Sequence, residues 1–164
     1  DFHRVEGYDI SHVGGTSAVG SMVVFTDGVS DKNEYRKFRI KTITGSNDVG
    51  MLTEVLRRRF LNHCPISRSY HRTVGRKSWP MPDLLLIDGG LPQVNAARAV
   101  LRDLHIALPV VGIAKGPERK RNDFFYPHEL HAAVARNRDM LIRVRDEAHR
   151  FAIKYHRELR SRLR

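Results

Sequence analysis

The hydrophobic positions of this chain alternate between two periods, one of strands and one of helices. Residues 84–87, Leu-Leu-Leu-Ile, form a short continuous apolar run. That is the pattern of a strand buried on both faces. The run stops at Asp88, before Gly89 and Gly90, and Pro92 stands where a first helical turn begins. Residues 93–104 then read as a helix. Upstream, residues 5–10 make a short strand that holds a second isolated acid, Asp9. After a polar turn with Ser11, His12, Gly14 and Gly15, residues 18–25 form a longer apolar strand. It is closed by Asp27-Gly28, a hairpin signal. Residues 29–34 read as a polar loop. Residues 35–43 alternate Tyr35, Phe38 and Ile40 with basic positions, as a half-exposed strand does. Short turns between the three runs imply an antiparallel meander.

Farther along, a loop at 45–48 leads to a helix over 49–60. Met51, Leu52, Val55, Leu56 and Phe60 fall on one face of it. Arg57, Arg58 and Arg59 crowd its C-terminal end, where cations complement the helix dipole. Residues 62–81 are irregular, basic and proline-bounded, with Tyr70 and Trp79 as aromatics, and read as an inserted surface loop. Residues 109–114 form another buried strand, ending at Lys115-Gly116. A charged loop follows at 118–123, then a small hairpin from 124–126 and 129–133. A long helix over 138–159 carries Leu141, Val144, Ala148, Phe151 and Tyr155 on one stripe. The expected fold is therefore α/β, a single domain over 1–164. Its mixed sheet has three antiparallel strands and then two parallel ones, with flanking helices and right-handed crossovers. If the 84–87 strand lies beside 5–10, Asp9 and Asp88 share one end of neighbouring parallel strands, roughly 5 Å apart. That end is where open α/β sheets bind ligands.

Composition narrows the class. With 41% hydrophobic residues in 164, the chain can build a core. Its 29 Lys and Arg outweigh 18 Asp and Glu, leaving a net charge of +11. Such a field favours nucleic acid or an anionic membrane surface. No stretch is long and apolar enough to span a bilayer and no signal peptide is visible. The single cysteine, Cys64, excludes an internal disulfide and a cysteine-built zinc site. These features fit a cytoplasmic protein. The chain begins at Asp1 rather than Met, so an excised domain is expected.

Two carboxylates side by side need a positive charge between them, or one is driven towards protonation. Oxygen donors suit Mg²⁺ or Mn²⁺. Beside a basic surface, such a site suits phosphodiester cleavage by in-line attack of water, leaving a 3′-hydroxyl and a 5′-phosphate. Asp88 read alone also fits a capping residue in a strand-to-helix turn. Asp48 is a third acidic candidate or a helix N-cap. His149 borders the apolar stripe of the last helix, as a metal ligand, a proton carrier or half-buried structure. His156 is too far along for a paired i, i+4 site with it. Arg143, Arg145, Arg150, Lys154 and Arg157 form a solvated face or a phosphate track, and the net charge favours the track. Lys115 reads as a phosphate contact or a surface lysine. Arg58 and Arg59 read as backbone contacts or as helix-end charges.

Five segments, in order, carry a family resemblance: Glu6-Gly7-Tyr8-Asp9-Ile10-Ser11-His12; Val55-Leu56-Arg57-Arg58-Arg59-Phe60; Leu86-Ile87-Asp88-Gly89-Gly90 with Gln93-Val94-Asn95-Ala96-Ala97; Gly112-Ile113-Ala114-Lys115-Gly116; and Arg145-Asp146-Glu147-Ala148-His149-Arg150-Phe151-Ala152 with Tyr155-His156-Arg157. The set resembles the C-terminal endonuclease domain of the UvrC family, the incising component of the bacterial excinuclease. The resemblance implies a ribonuclease-H-like fold and an Mg²⁺- or Mn²⁺-dependent DNA endonuclease of nucleotide excision repair. That enzyme cuts on the 5′ side of a lesion, with the excinuclease component UvrB as partner and UvrA upstream. It implies Asp9, Asp88 and His149 as the catalytic and metal-holding group, the histidine standing where most such nucleases place a last carboxylate. Lys115, Arg145, Arg150, Arg58 and Arg59 are the expected DNA contacts. The chain departs from the family at Asn47-Asp48-Val49, where two acids and an aromatic are common, and in its long 62–81 loop. The family's other nuclease domain and its tandem helix-hairpin-helix are absent from this stretch. A non-catalytic nucleic-acid-binding module, or a nuclease acting on RNA–DNA hybrids, is the alternative on the same fold.

Overall fold

The computed structural model describes residues 2–13, 17–41, 47–61, 79–116 and 122–162. Among these lie strands β1 (Arg4–Val13), β2 (Ser17–Thr26), β3 (Val29–Ser30) and β4 (Arg36–Arg39). They are followed by helix α1 (Asp48–Leu61), strand β5 (Leu84–Asp88) and helix α2 (Leu91–Asp103). Strands β6 (Val110–Lys115) and β7 (Asn122–Phe125) and helices α3 (His131–Arg136) and α4 (Arg138–Arg162) complete the order. One sheet runs β3-β2-β1-β5-β6-β7, with β4 also on β2. β1 pairs antiparallel with β2, β5 lies parallel to both β1 and β6, and β7 closes the far edge antiparallel to β6. No described helix is long and apolar enough to cross a membrane.

The apolar run behaves as its pattern requires. Leu85 and Ile87 pack on one side with Tyr8, Met22 and Phe38, under α1 and α2. Leu84 and Leu86 pack on the other with Val5, Val23, Val111 and Ile113, under α4. Four consecutive leucine and isoleucine residues thus serve two cores at once. Alternation along β1 and β5 follows from this. Val5, Gly7 and Asp9 face α4, as do Leu84, Leu86 and Asp88. α4 comes down directly on β1 at Gly7, where an added Cβ would stand 2.5 Å from Val144 Cγ1.

The α1 side carries a buried ionic knot. Arg59 Nε and Nη2 donate to the two oxygens of Glu6 at 2.9 and 2.7 Å, and both residues are fully buried. Tyr8 OH donates to Glu6 at 2.6 Å and Arg4 Nε at 3.2 Å. Arg59 Nη2 also donates to the carbonyl of Pro80 at 2.7 Å, and its guanidinium lies over the Trp79 ring. The knot therefore ties α1, β1 and the approach to β5 together.

Several expectations are refined. The loop expected over 29–34 contains β3, because Asp27 and Gly28 both take positive φ (52° and 79°) and turn the chain back on β2. The expected hairpin after residue 123 is corrected. Its first half is β7, paired with β6. Its second half is helical, a 3-10 turn at His128–Leu130 and then α3. Pro127 ends the strand, and the alanines of the next segment favour helix, with Val134 as its buried anchor. The strand expected to 43 is described to Arg39, and 42–43 lie outside the described residues, as do 14–16, 62–78 and 118–121.

Arg59→Met leaves Glu6 buried without its bidentate partner. It is expected to cost about 3–5 kcal/mol, read as a lower urea midpoint. Glu6→Gln added to it should recover part of that loss.

Candidate metal centre

The last paired positions of β1 and β5 are Tyr8 and Ile87, so the parallel register brings Asp9 beside Asp88 at the next step. Both lie on the α4 face. α4 is anchored to β1 and β2 around this point by Ser21, whose hydroxyl donates weakly to the carbonyls of Asp9 and Ala148 at 3.4 Å each. One residue beyond Ala148, His149 places Nδ1 3.2 Å from Asp9 Oδ2. One ligand atom each from Asp9, Asp88 and His149 lie within 4.8 Å of one another. Asp9 is buried, Asp88 half-buried and His149 exposed, so the cluster opens to solvent on the histidine side.

The electrostatics describe a site short of positive charge. Burial and then the charge of Asp88 push the Asp9 carboxyl up to about 6, against the pull of His149. Burial likewise raises Asp88, opposed by Arg145, His149 and Lys115. Each carboxylate would be ionised more readily with a cation between them. Two carboxylate oxygens and an imidazole nitrogen on one small centre fit Mg²⁺ or Mn²⁺.

Asp48 lies beside this centre without serving as the helix cap. The N-terminus of α1 is capped by its neighbour: Asn47 Oδ1 accepts from Gly50 N at 2.9 Å and its carbonyl accepts from Met51 N at 3.0 Å. Asp48 is the first helical residue. It lines a cavity of about 30 Å³ with Asp88, Gln93, Tyr8, Ile10, Leu52 and Ile87. Its charge also contributes to raising Asp9. The signal was present in the pair Asn47-Asp48, either of which can cap, so that only one is needed for it.

The expected DNA contacts divide. Lys115 ends β6 on the face of Val111 and Ile113, exposed, with its charge felt at Asp88. Arg145 is buried one turn before His149. Arg150 is turned to the other flank of α4. There it donates twice to Glu147, at 2.7 and 2.6 Å, and lines a groove of about 490 Å³ with Lys32 and Arg143. Arg58 and Arg59 sit on α1, across the sheet from the cluster. Arg59 is consumed by Glu6. Arg58 donates to the Arg39 carbonyl and to Glu54. A run of arginines at a helix end read as a solvent-facing charge, but the helix phase turns one of them into the core.

This strand order, with an acid at the tip of each of the two central parallel strands, is that of the ribonuclease-H-like class. The profile described as "UvrC RNAse H endonuclease domain" matches residues 1–153, and the chain belongs to that family. Curated relatives named UvrABC system protein C agree. That of Lachnospira eligens is 42% identical over 98% of this chain and 26% of its own length. That of Clostridium tetani is 43% identical over 98% and 27%, and that of Mycolicibacterium smegmatis 46% over 97% and 23%. The chain thus spans about a quarter of the length of these relatives. Among solved structures, Ciona intestinalis endonuclease V bound to an inosine-containing DNA 24mer superposes with a TM-score of 0.46. It is 16% identical, over 85% of this chain and 56% of that one. Human endonuclease V superposes at 0.39, 23% identical, over 70% and 46%.

The raised Asp9 carboxyl gives a pH prediction for the metal-free domain. The folded state holds this proton up to about pH 6, whereas an unfolded Asp releases it near 4. The associated stability is full below about pH 4 and lost as pH rises through 6. Asp9→Asn should therefore stabilise the chelated domain by about 3 kcal/mol at about pH 8 and leave its stability near pH 4 unchanged, measured by urea denaturation.

Proposed function

We propose that this domain hydrolyses a phosphodiester of damaged double-stranded DNA on the 5′ side of the lesion, using Mg²⁺ or Mn²⁺. It acts as the endonuclease module of a bacterial excinuclease, in the cytoplasm, with UvrB as partner and UvrA upstream. The observation that supports the reading most is the convergence of Asp9, Asp88 and His149 within 4.8 Å on one open sheet edge. The family membership and the names of the relatives supply the repair context.

Asp9 and Asp88 are the residues to hold the metal, with His149 as the third donor and Asp48 near enough to share in holding it from the α1 side. A bound Mg²⁺ or Mn²⁺ supplies charge that offsets the build-up on the phosphate and makes water a better nucleophile at neutral pH. Asp9 and Asp88 orient the reacting phosphate at the sheet edge by where they fix that charge. His149, exposed and hydrogen-bonded to Asp9, can take or return a proton at its other ring nitrogen. Lys115, at the end of β6, adds a positive charge felt at Asp88 and steadies the phosphate there. Water attacks in line, the P–O3′ bond breaks, and the products carry a 3′-hydroxyl and a 5′-phosphate. A module that only bound nucleic acid would have no use for two carboxylates that repel both DNA and each other.

The test uses a full-length protein carrying this domain, UvrA, UvrB and a lesion-containing duplex labelled at its 5′ end. Asp88→Ala should abolish the 5′ incision, by at least about a hundredfold, while DNA loading persists. Asp48→Ala should lower the rate by about tenfold or more, since its charge acts on the same centre. Equal incision by wild type and Asp88→Ala, or a 3′-phosphate product, contradicts the reading.

A further inference from the structure

Arg145 is a positive charge in an unusual position. Its side chain is only 6% exposed. Nε donates to Asp146 Oδ1 at 2.8 Å, but that carboxylate stands largely in water, 62% exposed. Nη1 is buried with no hydrogen-bond partner among the described residues. Burying a guanidinium is costly unless its charge and its N–H groups are met, and nearly all buried polar groups are satisfied. The domain shows what satisfaction looks like on the other face of the sheet, where Glu6 holds Arg59 at both oxygens. Arg145 has no such buried carboxylate among the described residues.

Its placement says what is missing. Arg145 is four residues before His149 on α4, so the two share a face, one turn apart. Among the influences that draw the Asp88 carboxyl down, the charge of Arg145 is the largest, ahead of His149 and Lys115. Yet Asp88 takes no hydrogen bond from the Nη1 of Arg145, and a divalent cation would claim Asp88's oxygens. The remaining ligand is an oxyanion brought to the cluster from outside. A guanidinium fork is matched to the oxygens of a phosphate.

Resting on the nuclease reading, we propose that Arg145 is a catalytic residue that binds a non-bridging oxygen of the scissile phosphate, with Asp146 holding its fork in place at Nε. The orphan N–H is a donor that no described residue uses. Burial keeps the fork rigid and its field strong, so its hold tightens as charge grows on the equatorial oxygens during displacement. Lys115, exposed on a flexible stem, contributes a point charge from the end of β6. Arg150 is engaged with Glu147 on the other flank of α4.

A thermodynamic cycle tests this. A full-length protein carrying the domain, with UvrB, is bound to duplexes whose incision phosphate is either native or a neutral methylphosphonate, in Ca²⁺ to hold off turnover. Affinity is compared for wild type, Arg145→Gln and Arg145→Lys. The methylphosphonate penalty should be about tenfold smaller in Arg145→Gln than in wild type, because the oxygen that Arg145 binds is already without its partner. If Arg145→Gln does not fold, Arg145→Lys carries the comparison. It keeps the charge but not the fork, and its penalty should be about threefold smaller than wild type's. Equal penalties in wild type and variant overturn the proposal, whatever the change in melting temperature, since a merely structural Arg145 would weaken both duplexes alike. Native duplex that wild type does not incise in Mg²⁺ sinks the nuclease reading and this inference together. Incision with equal penalties sinks the inference alone.

Discussion

Everything in this domain depends on the parallel pairing of β1 with β5. That pairing sets two carboxylates, Asp9 and Asp88, next to each other on one face at one strand end. In isolation it is an unfavourable arrangement: burial holds both groups above their ordinary range, and the charge of Asp88 adds to it at Asp9. The rest of the fold keeps it in place. The β1–β2 hairpin and the two apolar cores fix the strands, the Glu6–Arg59 knot locks α1 under β1, and Gly7 lets α4 come close enough to present His149. Stability elsewhere in the domain holds in place a local arrangement that is unfavourable on its own.

Much of this could be read from residues alone, because the informative patterns were local. Leu84 to Ile87 have the pattern of a strand covered on both sides, and the placing of its terminal acid beside Asp9 followed from the topology. The misses have physical causes. Arg59 and its neighbours read as surface charge since a run of one residue type carries no helix phase. Only Glu6, fifty-three residues away, explains why one of them turns inward. Residues 129–133 look strand-like in a short window, but Pro127 and the alanines around Val134 settle for helix. Asp48 stays open between cap and third acid in the sequence because it competes with Asn47 for the same cap, and sequence cannot say which of two capable neighbours takes it.

The charge of +11 also resolves into parts that differ in kind. Arg4 and Arg59 are spent internally, Arg58 braces the end of β4, and Arg150 is held by Glu147. Lys115 and Arg145 are the cations whose fields converge on Asp88. Net charge accounts for attraction to a polyanion. On the proposed reading, where that polyanion would be cut follows from the few cations that the fold brings to the sheet edge.

Asp9, Asp88 and His149 are proposed to form a divalent-metal centre. Anomalous X-ray scattering from crystals of the domain soaked in Mn²⁺ tests it most directly. The expected result is a manganese peak bonded to oxygens of Asp9 and Asp88 and to a ring nitrogen of His149. Manganese bound only elsewhere on the surface, with the two aspartates and the histidine unligated at saturating metal, would contradict it.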